Sequence, residues 1–323
     1  LKIKLNKIHI GDLIYDEYLV KYKKSTIDLE SKFLNDHLKE SFKLFYFWYD
    51  YITKNKVKAL ILSHSVYVVG IPGRIANYFD IPVYNVSATA TYYLSKEYFL
   101  KMSNFKFSKK KFIKLNQRTK KKMIINSKKQ ILKRFKGKKD IKQLNDRKVS
   151  QNIFGYFNKN KRILNQNSKF KILIATHCFQ DAVHVYGNYL FEDFFEWVDF
   201  LGVQSNKLKN YEWYLKSHPA IFERNKETLM YFTKKYPNLT LLPKNVTHNQ
   251  LIYEGIGAVL TVYGSVGHEY PLFGIPVINA SDHGPHDLYD FNFYAKTKKD
   301  YLSLIHKVHN LKVNKRKIKD QIF

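Results

Sequence analysis

The feature that most constrains this fold is a rhythm in the C-terminal half, where short apolar runs alternate with helix-patterned stretches. FKILIAT (170–176), EWYLKS (212–217), residues 239–242, AVLTV (258–262) and PVINA (276–280) have the length and apolar content of buried strands. Residues 190–201, 226–236, 249–254 and 266–273 lie between them as predicted helices, and 300–309 closes the series. In 190–201, Leu190, Phe194, Trp197, Val198 and Leu201 share one helical face. Parallel strands need helical crossovers, so five strands separated by helices predict a doubly wound α/β sheet.

The N-terminal half carries a shorter form of the pattern. Phe33, Leu34, Leu38, Phe42, Phe45 and Tyr49 recur at helical spacing and predict a helix over 31–52. ALILS (59–63) and PVYNV (82–86) read as strands around a helix over 69–79, a βαβ unit. Residues 8–22 mix apolar and acidic side chains without a period. Residues 149–168 are rich in Asn, Gln and Ser and predict an interdomain connection. The expected fold class is therefore α/β, with an N-terminal domain over 1–150, a linker over 151–168 and a C-terminal domain over 169–323. Two Rossmann-like halves with parallel sheets would face each other across a ligand cleft.

Composition narrows the setting. The chain has 323 residues, 45% hydrophobic and 16% aromatic, which is enough for two cores and excludes global disorder. A single cysteine, Cys178, cannot form an intrachain disulfide, as fits a reducing compartment, and it reads as a small buried filler. The uncharged stretches 59–73 and 81–95 fall short of the ~20 residues that span a bilayer. The expectation is a cytoplasmic protein without a transmembrane helix, and no secretory signal is visible.

The formal charge is +29, and residues 101–148 hold 20 Lys or Arg against Asp140 and Asp146 alone. Phe105, Phe107, Phe112, Ile124, Ile125, Ile131, Leu132 and Phe135 are spread among these cations, predicting one or two amphipathic helices that end near Gly137. Such a segment suits peripheral docking on the anionic inner face of a membrane. Nucleic acid would suit the charge too, but it leaves the βα alternation unexplained, and no specific nucleic-acid partner is expected.

Ligands of open α/β sheets bind outside the carboxyl ends of the strands. AVLTVYGSVGHE (258–269) places a tight turn and a helix start at that edge. Gly264 and Gly267 permit close backbone approach, and the amides of Ser265, Val266 and Gly267 form a candidate phosphate site. Glu269, one turn after Ser265, is a candidate for ribose hydroxyls. A plain serine cap would give the same pattern. KSHP follows the neighbouring strand, and its Lys216, His218 and Pro219 present a second anion-capable loop.

KSHPA, VYGSVGHE and the following YPLFGIPVINA resemble the C-terminal domain of bacterial surface-polysaccharide glycosyltransferases, notably the capsule polysaccharide biosynthesis proteins that include Kdo transferases. The likeness covers roughly residues 170–290. It implies a GT-B fold and an inverting, metal-independent transfer from a nucleotide-sugar to a growing cell-surface polysaccharide or lipid-linked glycan. It implies no cofactor beyond that donor. CMP-Kdo is the donor that the resemblance favours, with UDP and GDP donors open. By the same resemblance, and by similarity to GT-B sialyl- and polysialyltransferases, His218 and the Ser265 turn hold the donor phosphate, and Glu269 contacts the ribose. A non-hydrolysing sugar-nucleotide epimerase shares the GT-B architecture and stays open as an alternative.

THCFQDAVHVYG (176–187) offers His177, Asp181 and His184 to the same edge, and DHGPHDLYD (282–290) offers His286 and Asp287 for a sugar pocket. Two histidines seven apart with one aspartate match no standard ligand spacing, so no metal is expected. Inverting transfer needs a base for the acceptor hydroxyl. Asp12 and Asp16 in GDLIYD, and His64 after ALILS, are the candidates. No D-x-D, G-x-x-x-x-G-K-[ST] or G-x-G-x-x-G occurs, which argues against metal-dependent GT-A transferases, P-loop ATPases and standard dinucleotide enzymes.

Overall fold

A computed structural model describes residues 1–87, 91–96, 111–137, 153–185, 189–218, 221–281, 289–314 and 316–318. The chain is α/β, and its described residues divide into two compact units. The first takes 1–87, 91–96, 178–185 and 192–196; the second takes 111–137, 153–177, 189–191 and the remainder from 197.

The first unit opens with β1 (Lys4–Leu5) and β2 (Ile8–His9), an antiparallel pair turned by Asn6 and Lys7, both at positive φ, as a two-residue hairpin requires. Helices α1 (Gly11–Tyr22), α2 (Lys32–Lys54) and α3 (Ile71–Tyr78) pack around a small sheet. In that sheet β3 (Leu60–Leu62) and β4 (Val83–Val86) are parallel, and β5 (Thr91–Tyr93) joins β4 antiparallel. Ile10, Leu13, Ile14, Phe45, Ile71, Ile75 and Val83 form its core. The expected βαβ crossover is present. Residues 8–22, which show no period, form β2 and α1, because α1 is buried on most of its circumference and has no polar face to alternate with.

The second unit holds six parallel strands: β6 (Phe170–Ala175), β7 (Tyr211–Lys216), β8 (Leu239–Leu241), β9 (Ile256–Thr261), β10 (Val277–Asn279) and β11 (Phe293–Tyr294). Their spatial order is β11-β10-β9-β6-β7-β8. The order therefore reverses between β6 and β9, the switch point of a doubly wound sheet, where the carboxyl ends open a crevice. Five of these strands match the predicted runs within two residues; the sixth, β11, adds an edge. Helices α4 (Gln117–Phe135), α5 (Phe194–Lys207), α6 (Phe222–Lys235), α7 (His248–Tyr253), α8 (Val266–Glu269) and α9 (Lys298–His306) accompany the sheet. Residues 153–168, expected as a connection, are tied to this unit. Glu254 accepts from the amides of Ile163 and Leu164, Gln250 donates to the Lys161 carbonyl, and Glu212 accepts from Asn165 and Asn167.

Candidate functional site

Three chain segments end at the carboxyl edge of the second unit's sheet, around its switch point. The first is the Thr176–His177 step after β6. The His177 Nε2 lies 3.2 Å from Thr261 Oγ1 and accepts from the amides of Val262 and Tyr263 at 3.3 and 3.4 Å. Its carbonyl accepts from Asn225 Nδ2, which also donates to Ser217 Oγ. His177 thus fixes the β9 turn to the β6 edge and is a structural bridge.

The second is the β9 turn. A Cβ at Gly264 would meet Thr261 Oγ1 at 2.9 Å and His177 Cε1 at 3.4 Å, so this position needs glycine for close packing. The helix that follows is only four residues long and runs into a 3-10 turn over Tyr270–Phe273, which Gly274 closes at φ 79°. An anion at this turn would depend on hydrogen bonds more than on a helix dipole. The Gly267 amide already donates to the Gly264 carbonyl. Ser265 is exposed, and its hydroxyl donates to Glu269 Oε2 at 3.3 Å instead of capping the helix.

Glu269 is buried, and its other oxygen takes a 2.6 Å bond from Arg134 Nε at the end of α4. Burial pushes the Glu269 pKa up, and Arg134 and Ser265 offset only part of that rise. Both carboxylate oxygens are occupied, so a ribose hydroxyl would have to compete with Arg134 or Ser265.

The third segment is the end of β7. Lys216 is 4% exposed, and among the described residues its ammonium has no hydrogen-bond partner. Burial lowers its pKa to about 8. A buried charge without a partner is costly, which is why burial alone lowers this pKa. His218, two residues on, reaches the surface; the protein around its ring and the charges of Lys216 and Arg134 push its pKa down. His248 is held neutral by burial and by the charges of Lys216, Arg134 and His218, with Nδ1 2.6 Å from the Tyr270 hydroxyl. Burial, then Arg134, lowers His268 to about 4. The charges of Lys216 and Arg134 thus reach both His218 and His248.

Arg134 and His248 carry no motif that would single them out, and Arg134 sits inside the basic stretch, whose other described cations are exposed apart from the half-buried Lys120. The carboxamide of Asn279, at the end of β10, is also buried and unpartnered among the described residues. Pro219, His286 and Asp287 lie outside the described residues.

The remaining predicted residues belong to the first unit. Asp12, 1% exposed, is clamped by both terminal nitrogens of Arg74 at 3.0 and 2.6 Å. Burial alone would raise its pKa, but the Arg74 charge and bonds outweigh it, and the net shift is downward. A carboxylate held this way is a weak base. Asp16 Oδ1 lies 2.6 Å from His184 Nδ1, its Oδ2 accepts the His184 amide, and His184 Nε2 lies 3.0 Å from the Glu192 carbonyl. Burial opposes charge on the ring, yet Asp16 outweighs it and raises the His184 pKa. Asp181 accepts from the Tyr67 hydroxyl, and Asp193 from Tyr15 at 2.6 Å. The hydrogen bonds described for Asp181 and His184 are to residues of the first unit, and those of His177 to residues of the second. His64 is exposed beyond β3. Among the described residues, no group of three His, Cys, Asp or Glu side chains is placed to hold a metal ion. No described helix is long and apolar enough to cross a membrane.

No protein-family model and no curated protein sequence matches the chain. Among solved structures it is similar to UDP-GlcNAc 2-epimerase from Methanocaldococcus jannaschii, in complex with UDP-GlcNAc and UDP. That likeness has 14% identity over 85% of this chain and 75% of the other, with a TM-score of 0.37. It is also similar to UDP-GlcNAc 2-epimerase from Neisseria meningitidis bound to UDP-GlcNAc, with 13% identity over 97% and 80% and a TM-score of 0.27. Scores this low leave the functional assignment to the residues themselves.

Proposed function

We propose that the second unit binds the phosphate of a nucleotide-sugar, and that the chain is an inverting glycosyltransferase of GT-B type acting toward a surface polysaccharide or lipid-linked glycan. The observation that carries this reading is the buried ammonium of Lys216, without a hydrogen-bond partner among the described residues, beside His218 at the carboxyl edge next to the switch point. Sugar transfer leaves negative charge on the departing nucleotide phosphate. A fixed cation in a site shielded from water stabilises that charge without reorganising. The reading gives this work to Lys216 and His218, with the Ser265 turn supplying backbone donors.

Asp12 is committed to Arg74 and Asp16 to His184, which leaves His64 as the candidate to take the acceptor hydroxyl's proton. The test is NMR of the products after incubation with UDP-, GDP- or CMP-sugars, with and without a glycan acceptor. Transfer predicts free nucleotide and a new glycosidic linkage only when acceptor is present. An epimerised sugar-nucleotide formed without acceptor would replace transfer by epimerisation while leaving the phosphate site standing. Unchanged nucleotide-sugar in every mixture would reject both.

A further inference from the structure

We infer that helix α4 is a docking surface for anionic phospholipid, an inference independent of the chemistry proposed above. None of the α4 residues is buried. Residues 111–137 contain eleven Lys or Arg and no Asp or Glu. The helix is held to the second unit by its C-terminal turn. There, Phe135 packs on Phe154 and Phe273 with ring centroids 4.9 and 4.7 Å apart, Asn249 donates to its carbonyl, and Arg134 pairs with Glu269. Ile124 and Ile131 continue that inner face half-buried.

Ile125 and Leu132, seven residues apart and so on one face, are 56% and 58% exposed. At 100° per residue, Arg118, Lys121, Lys129 and Lys136 fall around them. Exposed aliphatics surrounded by cations are disfavoured in water. At a bilayer, both find partners: the aliphatic tips enter the acyl boundary while the cations meet lipid phosphates. Single-stranded nucleic acid would need rings to stack on, and the helix's one ring, Phe135, is turned inward.

The experiment is co-sedimentation of the full chain with phosphatidylcholine vesicles, with and without phosphatidylglycerol. Binding is expected only where phosphatidylglycerol is present, falling more than about tenfold between low and high salt. Replacing Lys121, Lys129 and Lys136 together by glutamine should weaken it about 100-fold, from about 1 kcal/mol per cation. The pair Ile125→Ser and Leu132→Ser should weaken it roughly tenfold with the charge unchanged. All five positions are exposed, and circular dichroism should show both variants folded. Equal binding to pure phosphatidylcholine, insensitivity to salt, or unchanged binding by the lysine variant would overturn the inference. So would tighter binding to a single-stranded oligonucleotide than to vesicles, unaffected by the Ile125 and Leu132 changes.

Discussion

Replacing Lys216 by methionine keeps the side chain's length and removes its charge, and the expected result is a more stable protein that has lost its anion site. Lowering the lysine pKa from its ordinary 10.5 to about 8 corresponds to about 3 kcal/mol against the buried ammonium, at about 1.4 kcal/mol per tenfold change. Below about pH 8 the folded lysine stays charged and the whole penalty is present. Between 8 and 10.5 the folded state has released its proton and the unfolded state has not, so the penalty fades as pH rises. Differential scanning calorimetry without ligand should show Lys216→Met melting about 6–12 °C above the parent at pH 7, at roughly 2–4 °C per kcal/mol. The gap should close near pH 10.5. A saturating nucleotide should stabilise the parent by about 2.7 kcal/mol at 100 times its Kd, and the variant, at least tenfold weaker, by no more than about 1.4 kcal/mol. A variant less stable than the parent, or a gap independent of pH, would show that the ammonium is already satisfied in the folded chain and would remove the argument for an external anion.

Arg134→Leu strands a buried carboxylate. It should cost about 1–3 kcal/mol, the half-exposed arginine placing it below a fully buried pair, and adding Glu269→Gln should recover most of the loss in urea titrations. Asp12→Ala should destabilise the first unit by about 3 kcal/mol by removing the carboxylate that both terminal nitrogens of Arg74 bind. Because the Asp12 pKa is lowered, the stability it contributes is present above the ordinary carboxylate range and disappears as pH falls through the folded value, so parent and variant curves should converge in acid. Gly264→Ala forces a Cβ against Thr261 and should cost about 1–3 kcal/mol with weaker nucleotide binding, read by thermal shift. His64→Ala should lower kcat and leave nucleotide affinity unchanged; a changed affinity with normal kcat would contradict its role as base.

The second unit's strands were legible because buried parallel strands are continuous apolar runs that need no knowledge of their neighbours. β11 was not: two residues, Phe293–Tyr294, have no period, and only their register with Ile278 and Asn279 makes them a strand. Helix α1 was hidden for the opposite reason. Its carboxylates look like surface residues, but Asp12 and Asp16 point inward to partners 62 and 168 residues away. The same distance effect divides THCFQDAVHVYG. The chain passes to the first unit after His177, so histidines seven apart in sequence serve different units. KSHP and the β9 turn were legible as loops at one sheet edge. That Ser265 donates to Glu269, and that Arg134 holds the same carboxylate, depends on side-chain geometry that spacing does not encode.

Isothermal titration of UDP, CMP and GDP, each against its bare nucleoside, tests most directly whether the second unit's sheet edge recognises a nucleotide phosphate. At least one nucleotide should bind the parent while its nucleoside does not, and Lys216→Met and His218→Ala should each lose at least about tenfold in affinity, the worth of one charged hydrogen bond. Nucleotides bound equally well by both variants, or nucleosides bound as tightly as nucleotides, would contradict the account.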